Sequence, residues 1–214
     1  MGLLRMGILS DFKNKIGTVV GRHWKSWKYT TSAYVREVKN PRTEAQQLQR
    51  ARFAAIGAMS SAFLPAIMEG FNQLARRLVL TEGNVFVKRN IGAVEATSPT
   101  SVTIDYSAIT VSEGRLPEVQ FGSPDFDTPL TVEVSFTGNT DDPEADAADT
   151  VHIFAYNAED GRGILSEGAA RSAGSASVTV PGSWNGVKVH VWGYVVNAKG
   201  ICSRSTYIGS GNIQ

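Results

Sequence analysis

"VKVHVWGYVV", residues 187–196, decides the fold class. Val187, Val189 and Val191 fall on one side of an extended chain, and Lys188, His190 and Trp192 on the other. Period-two alternation of β-branched and aromatic residues is the pattern of a β-strand. "DTVHIFAY", residues 149–156, alternates in the same way. Similar short runs are "SVTIDY" (101–106), "AITV" (108–111), "LTVEVSF" (130–136), "SASVTV" (175–180) and "SRSTYI" (203–208). Gly, Pro, Asp and Ser fill the gaps between them, with no helical pattern. Many short strands joined by turns predict an antiparallel β-sandwich. No Cys…Trp…Cys spacing accompanies them, so an immunoglobulin-like label rests on strand number.

Upstream the pattern changes. "NPRTEAQQLQRARFAA", residues 40–55, opens a helix. Thr43 and Gln46 have the spacing of a capping box, and Glu44 favours the positive end of the helix dipole. At 100° per residue, Leu48, Ala55, Ile56, Met59, Ala62 and Phe63 form one apolar face. Arg52 lies inside that face, whereas Arg50 lies opposite it with Gln47 and Ser61. The helix is expected to run to about Ala62. A second helix starts at Pro65, ends near Leu80, and has a weak point at Gly70. "NVFVKRN", residues 84–90, reads as extended. Residues 17–35, "GTVVGRHWKSWKYTTSAYV", read as a β-hairpin turning at Lys25-Ser26. The expected fold is therefore α+β: an N-terminal β-hairpin and two helices (1–83), then the antiparallel β-sandwich (84–214).

Charge divides along the chain. Residues 1–100 carry 15 Lys and Arg against 6 Asp and Glu, a net +9. The remainder carries 6 against 14, a net −8, and the whole chain is +1. A basic front can meet phosphate, acidic protein, or the acidic half of a neighbouring copy. Cys202 is the single cysteine, so no intrachain disulfide is expected. No signal peptide or membrane-spanning run is legible, and cytoplasm, or a particle assembled there, is the expected location.

Catalytic patterns are missing from the sequence, and neither an enzyme nor a cofactor is expected. His23, His152 and His190 fall on expected strands without metal-ligand spacing. "TDDPEADAAD", residues 140–149, lacks calcium-loop spacing and reads as a solvated loop. The interaction residues expected are Arg22, Trp24, Lys25, Trp27 and Lys28 of the hairpin, with Arg42 and Arg50. Basic residues interleaved with aromatics suit either a protein interface or single-stranded nucleic acid. Thr43, Gln46 and Arg52 are expected to be structural, Arg52 through a carboxylate or carbonyl partner, because an unpaired guanidinium in an apolar face is costly.

Five segments carry a resemblance: "MGIL" at Met6, "GTVVG" at Gly17, "NPRTEAQQLQRARF" at Asn40, "IDYSAITVSEGRLP" at Ile104 and "SRSTYIG" at Ser203. Together they resemble a family of uncharacterised proteins of about this length in Bacteroides-type bacteria and their phages. The resemblance implies Met6 as the usual start, and the 40–53 segment also resembles "NPRT…Q…R.RF" segments of phage and prophage proteins of unassigned role, which tilts the expectation towards virion or prophage cargo. The leading expectation is a non-enzymatic structural or assembly protein. It acts through protein–protein contacts, as a homo-oligomer or in a larger assembly. The alternative is a nucleic-acid-binding accessory protein using the basic front.

Overall fold

The computed structural model describes residues 2–4, 13–24, 28–37 and 40–214. The chain forms two compact units, Met1–Thr43 and Glu44–Gln214. This boundary is forty residues before the expected one at 83, because the helices share an apolar core with the β-strands that follow them.

In the first unit, β1 (Gly2–Leu4), β2 (Asn14–Ile16), β3 (Val19–Trp24) and β4 (Lys28–Ala33) form one antiparallel sheet in the order β1-β4-β3-β2. The expected hairpin is β3–β4, paired from Val19↔Ala33 to Trp24↔Lys28. Its turn at Lys25-Ser26 lies outside the described residues. A second, tighter hairpin, β2–β3, turns at Gly17-Thr18.

The second unit begins with α1 (Glu44–Ala62), α2 (Leu64–Gly70), α3 (Asn72–Leu78) and α4 (Glu82–Asn90). α1 starts directly after Thr43, where the capping spacing places it, and buries Ile56 and Met59 on its expected face. Pro65 stands in the first turn of α2, which leaves α1 at 83°. The expected second helix is broken in two after Gly70. The backbone of Val111 and Ser112 crosses so close there that a side chain at Gly70 would collide with it. Val79, left-handed at φ 57°, closes α3. Residues 84–90 are not extended but helical. Thr81 caps α4 by accepting from the Asn84 amide at 3.2 Å, Glu82 lies in its first turn, and Lys88 and Arg89 lie in its last. Those end signals, with Val85 and Phe86 turned into the core, outweigh the β-propensity of the valines.

β5 (Val94–Ser98) and β6 (Ser101–Ile104) pair only with each other and pack on α1, outside the sandwich. The sandwich proper is built from β7 (Gln120–Asp125), β8 (Thr131–Thr137), β9 (Thr150–Asn157), β10 (Arg162–Leu165), β11 (Ala169–Ala170), β12 (Ser175–Thr179), β13 (Lys188–Val196) and β14 (Thr206–Asn212). One sheet runs β10-β9-β13-β14, with β11 beside β9; the other runs β12-β8-β7. β13 is buried from Val189 to Val196 on both faces. Val189, Val191 and Val195 meet Val132, Val134, Val178 and Trp184 in the core between the sheets. Trp192, Tyr194 and Val196 meet Ile56, Phe63, Ile67 and Phe86 in a second core under the helices. The unit is thus three layers, helices on sheet on sheet. Phe63, at the corner between α1 and α2, contacts the rings of Phe86, Phe154, Tyr156 and Trp192 at 4.8–5.2 Å.

Residues 108–111, expected as a strand, instead begin an irregular strap, 109–116, between helices and sheet. Its backbone groups are satisfied one by one. Trp192 Nε1 donates to the Ile109 carbonyl at 3.0 Å. The Asn90 side chain exchanges two 2.8 Å hydrogen bonds with the Thr110 backbone. Ser205 Oγ accepts from the Val111 amide at 2.9 Å, and Ser112 Oγ donates to the Ser203 carbonyl at 2.6 Å. The Leu116 amide donates to the Cys202 carbonyl at 3.0 Å.

Arg52 is half-buried on the apolar side of α1, but its buried Nε has no hydrogen-bond partner, and no ion pair holds it among the described residues. The structural staple is Arg171. It is 1% exposed, with Nη1 donating to Gly138 O at 3.0 Å and Nη2 to Pro117 O at 2.7 Å. Its Nε lies 3.3 Å from Asp149 Oδ2, an ion pair whose angle is too oblique for a hydrogen bond. Asp149, at the end of the loop expected to be solvated, is 4% exposed. Removing one partner of such a buried pair leaves an uncompensated charge. Arg171→Met is expected to cost about 3–5 kcal/mol, a fall of roughly 6–20 °C in melting temperature for a chain of this size. Arg52→Met is expected to change stability by less than about 1 kcal/mol, because it removes an unpaired donor. Equal falls in thermal melts of the two variants would refute this assignment.

Candidate interaction surfaces

Cross-strand partners share a face of a sheet. In the first unit the register puts Ile16, Val19 and Ala33 on one face with His23 and Tyr29. The two rings lie 4.7 Å apart. Lys15, Val20, Arg22, Thr30 and Ser32 take the opposite face. Lys15 Nζ sits 3.6 Å from the centre of the Tyr34 ring. Ile16 is 62% exposed and Val19 40%, and Gly21 is the one buried residue among the described residues of this unit. Among the described residues, Ile16 and Val19 thus leave apolar surface exposed on this face of the sheet.

Of the expected interaction residues, Arg22 is exposed on the basic face, away from His23 and Tyr29. Trp24 and Lys28 are cross-strand partners at the far end of β3–β4, and Lys25 and Trp27 lie outside the described residues. Arg42 is exposed ahead of α1, and Arg50 on α1 is exposed away from the buried face. Thr43 and Gln46 are exposed at the start of α1. No helix is long and apolar enough to cross a membrane, and among the described residues no three His, Cys, Asp or Glu side chains converge.

Two further clusters of polar side chains in the second unit carried no sequence signal of their own. Under the helices, His152 Nε2 lies 3.4 Å from Glu69 Oε2, and the Tyr194 hydroxyl donates to the same carboxylate at 3.4 Å. Cys202 beside them is buried, and burial pushes its thiol up to about 12, which leaves it protonated and unreactive. Further along β13, His190 stacks on Tyr106 at 3.9 Å and its Nδ1 lies 2.9 Å from the Tyr207 hydroxyl. Burial, and after it the charge of Lys188, lowers the His190 pKa from 6.5 to about 4.

A groove of about 480 Å³ opens between α3 and the strap, lined by Gln73, Leu74, Arg77, Glu113, Gly114 and Arg115. Glu113 is already engaged, 2.6 Å from Arg89 Nη2. Sequence spacing could not bring Arg77 to Arg115; the strap does so by returning across α3.

His190 predicts a pH dependence. Unfolded, it titrates near its ordinary value; folded, it stays neutral down to about pH 4. Between those values the unfolded chain binds the extra proton. The contribution to stability is therefore complete above about pH 6.5 and is lost progressively as pH falls towards 4. Chemical denaturation at pH 7.5 and pH 5 should show wild type losing more stability over the interval than His190→Gln. Identical losses would exclude His190 as the source.

A family model described as "Family of unknown function (DUF6266)" matches residues 11–209. No curated protein matches the chain. Among solved structures, the solution structure of the fibronectin type III domain of human collagen α-1(XX) chain is similar at 17% identity. Its TM-score is 0.32, and the match covers 48% of this chain and 88% of that domain. With the family model spanning both units, the chain belongs to the DUF6266 family.

Proposed function

We propose that this is a non-enzymatic structural or assembly protein that works by protein–protein contacts between copies of itself, as a component of a virion. The observation that carries the reading is the exposure of Ile16 and Val19, cross-strand neighbours in the four-stranded sheet of the first unit. Among the described residues they form apolar surface that a second surface would bury. Charge supports another copy as that surface. Residues 1–43 hold 9 Lys and Arg against 2 Asp and Glu, a net +7; residues 44–214 hold 12 against 18, a net −6. The basic unit of one copy complements the acidic unit of the next, a head-to-tail contact. The virion assignment and a cytoplasmic site of assembly rest on the resemblance of the 40–53 segment to phage and prophage proteins, which is analogy. The β7-β8-β12 sheet facing β10-β9-β13-β14 supports an immunoglobulin-like sandwich as the rigid body of such a building block.

Nucleic-acid binding is the second reading, favoured by the +7 charge of the first unit. Arg22 lies on the face opposite His23 and Tyr29, which separates charge from stacking rings instead of combining them.

Light scattering on the full chain at tens of micromolar should give a mass above that of a 23.0 kDa monomer. Ile16→Lys with Val19→Lys should shift it towards monomer without altering the melting of the second unit. A wild-type monomer that co-purifies with no partner would overturn the reading. A gel shift at low salt that weakens by about 0.9 log units per phosphate contact per log unit of salt would favour nucleic acid.

A further inference from the structure

We infer that the groove between α3 and the strap is a carboxylate-binding site, and that its occupant is the acidic loop at residues 141–146 of a second copy. This rests on the self-assembly reading and adds a second contact to it, between the second units of two copies.

The groove is cationic and prebuilt. Arg77 and Arg115 are exposed at its walls, and neither has an ion pair among the described residues. Glu113, the one carboxylate in the lining, is neutralised by Arg89 at 2.6 Å and does not compete for them. Buried Leu74 belongs to the same lining. The wall at 113–115 is pinned at both ends. The Glu113 amide donates to the Gly70 carbonyl at 3.2 Å and the Leu116 amide to the Cys202 carbonyl at 3.0 Å. Gly114 is pressed so closely on the Cys202 carbonyl that no side chain fits there. Two guanidiniums on a fixed scaffold suit bidentate pairing with carboxylates.

The same chain supplies the matching surface. Asp141 and Glu144 are exposed, and their carboxylates make no hydrogen bond or ion pair among the described residues. The Asp142 carboxylate accepts from the Glu144 amide at 2.9 Å and that of Asp146 from the Ala148 amide at 2.9 Å, which hold the loop in a defined turn. Arg171–Asp149 anchors its far end in the core. Both surfaces are thus ordered before they meet, which lowers the entropy lost on contact. Copies of net charge +1 approach one another without long-range repulsion.

A charge-swap experiment on the full chain tests this by sedimentation at low and moderate salt. The groove variant is Arg77→Glu with Arg115→Glu; the loop variant is Asp141→Lys with Glu144→Lys. Each alone should weaken self-association at least tenfold relative to wild type. An equimolar mixture should regain association, because the intact loop of the first fits the intact groove of the second. Normal melting of both variants establishes that they are folded. Unweakened association of both variants, or a mixture no stronger than its components, overturns the groove contact while wild-type assembly keeps the broader reading. A monomeric wild type overturns both.

Discussion

The second unit depends on one constraint: its central strands are apolar on both faces. β9 and β13 run side by side with Trp192 opposite Phe154 and Val191 opposite Ala155. Trp192 and Phe154 point to the helical side, and Val191 and Ala155 to the other sheet. Each large side chain removed from water stabilises by about 1.5–3 kcal/mol, so neither face can be left open. A second sheet covers one and the helices cover the other. The sharp corner between α1 and α2 follows from the second requirement. It lets α1 pack on β5 and β6 while α2 packs on β10, and it drops Phe63 among four aromatic rings.

Covering a sheet with helices creates a seam, and the strap at 109–116 fills it. An irregular segment buried between layers has no ladder to satisfy its amides and carbonyls. Asn90, Trp192 and Ser205 take that part from both sides, and the Ser112 hydroxyl ties the strap to the Ser203 carbonyl. This gives two of the segments behind the family resemblance a physical meaning. "IDYSAITVSEGRLP" contains the strap, and "SRSTYIG" contains the serines that hold it. They read as separate motifs in the chain and form one joint in the fold. Gly70 belongs to the same joint, and the interruption of the helix there follows from the backbone that passes over it.

The legible parts of the sequence were those governed by local physics. Alternation marked β8, β9, β12 and β13, and Thr43 and Pro65 marked where α1 and α2 begin. Competing signals decided where the reading departed from the structure. Valines at 85 and 87 suggested a strand, while Thr81, Glu82, Lys88 and Arg89 supplied the ends of a helix. Residues 108–111 have strand composition but find side-chain partners in place of a neighbouring strand. Arg52 and Arg171 show the limit most clearly. Helical spacing located an arginine in an apolar face, yet the arginine that pairs with a buried carboxylate lies in a short turn with no periodicity around it. Which carboxylate meets which guanidinium is decided by contacts far apart in sequence. The groove at Arg77 and Arg115 was hidden for the same reason.

The division of charge takes on a sharper form once the units are known. Counted to residue 100 it separates the front of the chain from the back; counted by unit it separates an open sheet from a packed body. Among its described residues the sheet buries only Gly21 and leaves Ile16 and Val19 exposed. The packed body spends its aromatic residues inside and presents acidic loops outside. On the proposed self-assembly, the basic unit of one copy meets the acidic unit of the next. A head-to-tail contact of that kind does not close on itself unless a rotation brings the last copy back to the first, so the proposal leads to rings or extended arrays.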